Sequence, residues 1–552
     1  MQSCDILIIG AGPVGVTLAL ELALHNVSLR IIDKAPERSD KSRALVVHPR
    51  TLELLNRHRS PEALSSRGQT LHGVAIYINQ KLVTPLNLND LGTTDTQFPL
   101  PLLVSQAKTE TFLDERLAEY GVHVERPVTA MAIEQDNTGV TTTLRLSDGS
   151  HQTVRSKYVV GCDGAHSVVR HAANNLTFEG APYPQDFILC DARLHDSSLP
   201  KNRICLFLGS AAVSRGMVMM IPIDGELVRV VASEPLSAPE NDPTVDQFTE
   251  CLHSHGPVGS GTLTDAVWLT RFRFHSRIVS NYRDGRLFLA GDAAHIHSPA
   301  GGQGMNAGIQ DSVNLGWKLA LALQGKTADA EVLLDSYNAE RRPIGKRLIS
   351  GTDSIFSSIT TSSTWFIMLR NFVLRWILPW FLSSTRRRGM VLRFLSGFGI
   401  KYRRSPVVGT TAGFKGPIRG GDRLPDGVVL EKSGADLKKT HLQRLCGGKP
   451  HHLLLFAGIS TAYASTSSVL ERAEDQISSL MRSEMKTHTI YAVDLPRDAD
   501  SLSSPSLYVD MKGHVHSQFG FTEPGYVLVR PDGYVAHIGH LSKLDSLLEF
   551  LA

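Results

Sequence analysis

The chain has 552 residues, more than one hydrophobic core accommodates, because single cores stop growing near about 250–300 residues; two or three modules are expected. Hydrophobic residues make up 42% and charged ones 20%, and 57 basic residues stand against 54 acidic for a net charge of +3, which gives no electrostatic case for nucleic acid or an acidic partner. The six cysteines, Cys4, Cys162, Cys190, Cys205, Cys251 and Cys446, form no CxxC pair and no ligand-like spacing, so free thiols in a reducing, cytoplasmic compartment are expected, with no disulfide framework and no metal.

The first elements read strand, glycine loop, helix, strand. Residues 5–10 are a buried apolar run, and Gly10-Ala11-Gly12-Pro13-Val14-Gly15 supplies GxGxxG. Each glycine has a task in a dinucleotide fingerprint: the tight turn at Gly10, close approach to pyrophosphate at Gly12, helix–strand contact at Gly15. The helix that follows points the positive end of its dipole at that phosphate, and Asn26 is a left-handed stop. The next strand ends in Asp33, 18 residues beyond Gly15, where an acid binds ribose hydroxyls. Asp5 and Glu21 interrupt this apolar opening, which argues against a secretory signal.

Further along, residues 158–170 (YVVGCDGAHSVVR) form a strand, a turn at Gly161 to Gly164 and a helix capped by Ser167. The next stretch, roughly 176–284, has five strand-like runs whose alternation and β-branched content predict an antiparallel sheet. Met217, Met219 and Met220 fall in it as a stripe that is core or the lining of a wide apolar pocket. Arg271, Arg273 and His275 alternate on its last strand and are candidates for substrate anchoring; the plain alternative is a solvated strand face. Residues 286–323 then repeat the strand-to-glycine theme: Gly291-Asp292, a glycine-rich loop, and a helix from near Gly304 to a stop at Gly325. His295 and His297 lack a third ligand at useful spacing, so a metal site is not expected.

A helical connector is expected over 351–405. It contains WFIMLRNFVLRWILPWFL at 365–382, broken by Arg370, Arg375 and Pro379 and followed by Arg386, Arg387 and Arg388. No uninterrupted apolar run reaches about 18 residues, so packed amphipathic helices are expected, with membrane-surface contact through 365–388 as the alternative. A turn-rich stretch leads to a tail with strands at 450–458 and 487–495, a helix at 467–484, a hairpin at 525–540 turning on Pro531-Asp532-Gly533, and a short final helix.

GAGPVG at 10–15, CDGAHS at 162–167, and GDAAH with GGQGMN at 291–306 resemble, in order and spacing, the FAD-dependent aromatic hydroxylases of the para-hydroxybenzoate hydroxylase and phenol hydroxylase type. The tail resembles the thioredoxin-like domain of phenol and polyketide hydroxylases, without its redox cysteines, and is read as structural or homodimer-forming. The resemblance implies an α/β protein: a Rossmann-type FAD-binding module over 1–350 with the antiparallel substrate sheet inserted, the connector at 351–405, and a thioredoxin-like domain at 406–552. It implies FAD as cofactor, NADPH or NADH as co-substrate, and hydroxylation of a phenolic or polyketide-derived aromatic by O2 through a flavin hydroperoxide. The cofactor-binding set is Gly10, Gly12, Pro13, Gly15, Asp33, Arg43 at the pyrophosphate, Gln106 by hydrogen bond, Asp163 near both nucleotides, Asp292 at the ribityl chain, Pro299, and Gly304, Met305 and Asn306 through backbone N–H groups. The residue that activates a phenol is not identified. Baeyer–Villiger chemistry on the same scaffold stays open, and a non-enzymatic FAD-fold escort is the contrasting class. There is no second GxGxxG for a separate nicotinamide domain, and the WxWxIP stretch of flavin halogenases is absent.

Overall fold

The computed structural model describes residues 2–39, 44–57, 63–89, 94–209, 216–234, 242–298, 301–361, 363–433, 436–459, 463–481, 484–492 and 507–551. Its first sheet has seven strands, and the parallel part runs Leu287–Leu289, His151–Gly161, Gln2–Ile9, Leu29–Ile32. Ile9 pairs with both Gly161 and Ile32, and Gly161 with Leu289. The three strands that carry the three motifs therefore stop at one level. Their turns converge on the carboxyl edge of the sheet, where open α/β folds hold their ligands.

Two helices pack against this edge from below. The helix Pro13–Leu24 is buried along most of its length. The helix Gly304–Leu323 crosses it closely because Gly308 and Gly316 have no side chains: a Cβ on Gly308 would lie 2.5 Å from Val14 Cγ2, and one on Gly316 2.5 Å from Glu21 Cβ. Asn26, at φ 57°, and Gly325, at φ 65°, end these helices in the left-handed region, as the stop signals require.

The second sheet has eight strands, mostly antiparallel, in the order His295–Ile296, Thr262–Val279, Phe178–His195, Leu227–Glu234, Met217–Asp224, Arg203–Leu208, Gly73–Ile78, Lys81–Asn87. It is thus wider than the stretch 176–284. A hairpin at 73–87 joins at one edge, its first strand lying parallel to Arg203–Leu208, and the third motif adds a two-residue strand at the other. The helix Val245–His255 covers one face, with Phe248 and Leu252 fully buried. The other face meets the 31-residue helix Ala330–Thr360, which runs ten residues past the expected module boundary. Met220 points to the first face and Met219 to the second.

The C-terminal region is a third, eight-stranded mixed sheet with His451–Phe456 parallel to Met485–Tyr491 and antiparallel to Gly525–Val529. Its helix, Tyr463–Leu480, begins four residues ahead of the expected start. Buried ion pairs bind this domain to the first. Arg530 reaches Glu340 at 2.6 and 2.9 Å, Arg423 reaches Glu53 at 2.6 and 2.8 Å, and Arg50 donates to the Asp532 carbonyl.

Candidate active site

The glycine loop has the shape that a bound pyrophosphate demands. Gly10 sits at φ 99°, and a Cβ there would lie 2.4 Å from the Cys162 carbonyl oxygen; one on Gly15 would lie 1.9 Å from the Gly10 oxygen. Around Gly12 the situation reverses, with nothing within 4 Å of an added Cβ. Gly12 caps the helix without a side-chain bond, and Pro13 takes the first turn, so the helix N–H groups face that space. Asp33 accepts from Ala11 N at 2.7 Å and Ala35 N at 2.9 Å and has Arg126 at 3.4 Å. Its carboxylate is held at the loop rather than turned to solvent.

The other two turns face the same edge. Asp163 accepts from Val168 N at 2.7 Å through Oδ2, while its buried Oδ1 has no partner among the described residues. Burial pushes its carboxyl above the ordinary range. Asp292 follows Gly291 (φ 60°) on a single 3-10 turn and is exposed at the surface of the edge. Gln106 opens the helix Gln106–Ala118; its Oε1 accepts from Ala44 N, and its backbone N–H donates to the Ala44 carbonyl. Arg43 and Pro299 lie outside the described residues.

The glycine-rich loop ahead of Gly304 is pinned from inside. Asn306 is fully buried. Its Oδ1 accepts from His48 N, and its Nδ2 donates to Val46 O and Gly302 O, each at 2.8 Å. The Asn306 side chain is therefore a brace, and its contribution to a ligand is the backbone N–H. With those of Gly304 and Met305, this group belongs to the first turn of a 20-residue helix, where N–H groups have no intrahelical acceptor. His48 donates from Nε2 to Gly301 O at 2.7 Å. Below the loop, Asp311 joins His295 (2.8 Å) to Arg341 (2.6 Å), and Arg341 donates to the Tyr402 hydroxyl. Asp311 thus engages His295, and among the described residues no group of three or more His, Cys, Asp or Glu is arranged to hold a metal ion.

Three buried polar atoms around this loop lack partners among the described residues: His48 Nδ1, Asp163 Oδ1 and His297 Nε2. Burial holds both histidines neutral, with pKa values lowered to about 4. A flat, hydrogen-bonding group such as an isoalloxazine fits them, and the open ground at Gly12 fits a pyrophosphate. The residues present suit FAD.

In the second sheet, the strand Thr262–Val279 separates two chemistries. Trp268, Phe272 and Phe274 pack with Phe187, Phe356 and Met219 into an aromatic wall facing the helix Ala330–Thr360. Arg271, Arg273 and His275 stand on the opposite face, as period-two alternation requires. Arg273 is bonded to Asp186 at 2.7 and 2.9 Å and exposed, and so does not reach the wall. His275 instead lines a cleft with His166, Arg170, His171, Phe178 and Arg277, beside the Asp163 turn.

At the loop end of the aromatic wall the structure brings together a group that no local pattern marked. The Tyr183 hydroxyl donates to Asp353 Oδ1, and Ser276 Oγ donates to Asp353 Oδ2 at 2.8 Å. Burial and the Asp353 carboxylate push the Tyr183 phenol well up. Tyr183 adjoins Ser298 and Phe356. The three residues come from two strands and a helix, 170 positions apart at the extremes.

A family model described as "FAD binding domain" matches residues 3–352, and one described as "Phenol hydroxylase, C-terminal dimerisation domain" matches residues 477–552. The chain is 31% identical over 553 residues to 6-methylpretetramide 4-monooxygenase of Streptomyces rimosus, covering 98% of this chain and 92% of that one. It is 29% identical to pentachlorophenol 4-monooxygenase of Sphingobium chlorophenolicum, covering 99% and 96%. Among solved structures, an anhydrotetracycline hydroxylase from Streptomyces rimosus superposes with a TM-score of 0.76 at 27% identity, covering 100% of this chain and 98% of that one.

Proposed function

The chain belongs to the FAD-dependent monooxygenases with a phenol-hydroxylase-type C-terminal domain, and from that premise we propose that it hydroxylates a phenolic ring of a polycyclic, polyketide-type aromatic. The observation that carries this reading is the Tyr183–Asp353–Ser276 group at the end of an aromatic wall, beside the loop that suits the isoalloxazine. The wall takes a flat apolar ring system and excludes water. The 6-methylpretetramide and anhydrotetracycline enzymes, named for fused-ring substrates, support the polycyclic class.

FAD, when bound, takes hydride from a reduced nicotinamide nucleotide, NADPH or NADH, and activates O2 for transfer of one oxygen atom to carbon. The protein's part is positional and electrostatic. Asp33 and Asp292 take the sugar and ribityl hydroxyls, and the N–H groups of Gly304, Met305 and Asn306 place a positive dipole end at the pyrimidine edge. The basic cleft of His166, Arg170, His275 and Arg277 receives the phosphates of the incoming nucleotide. Tyr183, its own proton engaged by Asp353, presents Oη lone pairs to the substrate phenol. The phenol proton passes to Tyr183 Oη as the tyrosine proton moves to Asp353, which raises electron density on the ring carbon to be oxidised. Attack on a ketone needs no such acceptor, so this group favours hydroxylation over Baeyer–Villiger chemistry. The family match at 477–552 supports a homodimer formed through the C-terminal domain.

The test is nucleotide oxidation by the purified yellow protein with phenols, hydroxyanthraquinones and tetracycline-like aromatics, followed by mass spectrometry under 18O2. Substrate-stimulated oxidation with one 18O in a ring hydroxyl is expected. Label inserted beside a carbonyl, as an ester oxygen, would replace hydroxylation by ketone oxygenation, and protein that takes up no FAD would overturn the reading altogether.

A further inference from the structure

The segment from Thr364 to Leu382 is a helical turn sequence of 19 residues, long and apolar enough by length and composition to cross a membrane, yet only 11% of its most apolar window is buried. It is therefore no core helix. It also does not stand away from the protein. Ile367, Leu374, Leu378 and Leu382 form the inward stripe; Leu374 and Leu378 pack on the second sheet at Ile76, Ile78, Leu208 and Met217. Arg370 is tied to the carbonyls of Ile359 and Gly209 at 2.9 and 3.0 Å. The segment lies along the sheet.

The outward stripe is as apolar as the inward one. Met368, Phe372, Trp376 and Trp380 follow at intervals of four, with Trp365 and Phe366 ahead of them; the three tryptophans are 69%, 63% and 65% exposed. They are three of the five tryptophans in the chain. The next helix, Thr385–Leu395, adds exposed Met390 and Phe394. Scattered apolar residues on a surface need no account, but a contiguous strip of this size marks an interaction site.

The charge around the strip identifies what meets it. Between residues 354 and 400 there are six arginines and no aspartate or glutamate, although acids average about one residue in ten over the whole chain; Arg370 is turned inward and Arg393 pairs with Asp95 at 3.0 Å, which leaves Arg375, Arg386, Arg387 and Arg388 as the charge beside the strip. Arg387 lies over the Trp380 ring at 4.6 Å and the Phe381 ring at 5.3 Å, and Arg375 over Trp376 at 5.8 Å. Aromatic rings with guanidinium groups beside them suit the headgroup level of a bilayer, where rings sit among acyl carbonyls and cations pair with anionic lipid. A second copy of the chain is the rival occupant. The dimerisation match lies elsewhere, at 477–552, and a copy of the strip would bring its own Arg375, Arg386, Arg387 and Arg388 against these.

We infer that residues 364–394 form a monotopic docking surface that seats the enzyme on anionic membranes, lying in the interface without crossing it. The inference does not depend on which substrate the enzyme oxidises. Flotation of the FAD-loaded, full-length protein with phosphatidylcholine vesicles containing about 30% phosphatidylserine tests it. Most of the protein is expected to float, with about tenfold less on pure phosphatidylcholine or in high salt. The Trp376→Glu/Trp380→Glu variant should lose about tenfold in binding while keeping its FAD content and lipid-free nucleotide oxidation. Wild type that stays at the bottom of the gradient overturns the inference, as does a variant that floats like wild type. So does a wild-type dimer that the double substitution converts to monomer by light scattering, since the strip would then be a copy–copy interface.

Discussion

Asp292 and Tyr183 are the two side chains on which the proposed chemistry turns, and they were unequally visible in the sequence. Asp292 ends a strand in Gly-Asp, a pattern of adjacent residues, and the structure sets it at the sheet edge with Asp163 and Gly12. Asp292→Ala removes the proposed ribityl acceptor without touching the core. The protein should fold and purify with its FAD content reduced at least several-fold, read from the ratio of 450 to 280 nm absorbance; full yellow colour and activity would remove Asp292 from the cofactor set. Tyr183 and Asp353 meet only in three dimensions, and neither stands in a motif. Arg271, Arg273 and His275 stand on the chemically conspicuous face of their strand, whereas the wall proposed here for the substrate is the bland alternate face of Trp268, Phe272 and Phe274, which no local pattern marks. Tyr183→Phe keeps the ring packing against Phe356 and removes the proposed proton acceptor. Hydroxylated product per nucleotide consumed should fall, with the rate of ring oxidation down by about 10²–10⁴-fold, the usual worth of general base catalysis. Substrate binding and flavin content should change little. An unaltered product yield would mean that the phenol is activated elsewhere.

Among elements, those whose signals are local were legible: strand into glycine turn into helix, three times over, and the final hairpin. What the sequence did not reveal is where separate elements touch. In sequence the 525–540 hairpin belongs to the tail domain at 406–552, yet its turn enters the first domain. There Arg530 bonds Glu340 and Asp532, Lys318 bonds Glu340 at 2.8 Å, and Asn314 donates to both acids. All of these side chains are buried. Arg530 holds the Glu340 carboxyl far below its ordinary range. Removing one partner from such a network leaves a charge without compensation in a low-dielectric site, at a cost of about 3–5 kcal/mol. Arg530→Ala should thus loosen the contact between domains more than it disturbs either sheet. We expect urea unfolding to split into two transitions, with the 406–552 region melting first by hydrogen exchange. A single transition at the wild-type midpoint would show that the network contributes no stability to the contact.

Across the whole molecule, burial of neutral histidines makes stability depend on mild acid. His25, His48 and His537 have pKa values lowered to about 4, and His452 to about 3, in each case mainly because burial disfavours the charged ring. The unfolded chain binds protons at these positions near pH 6.5, while the folded chain resists until pH 4 or below. Stability therefore falls as pH drops from about 6.5 towards 4, by roughly 1–2 kcal/mol for each histidine at pH 5, and is unaffected by this effect above pH 7. Below about pH 4.5 Glu340 adds loss in the same direction, since its depressed carboxyl must be protonated in the unfolded chain first. His452 and His537 lie in the C-terminal sheet, and His48 braces the loop ahead of Gly304. Acid should accordingly act on two functions together, the packing of the terminal domain and the retention of FAD. Between pH 7.5 and pH 5 the thermal midpoint should drop by roughly 5–10 °C, with FAD fluorescence released in the same interval and before the first sheet unfolds. A midpoint that stays flat down to pH 5 would mean that these histidines take up protons as readily in the folded protein as in the unfolded chain, and the burial argued here to keep His48 neutral in mild acid would then not do so.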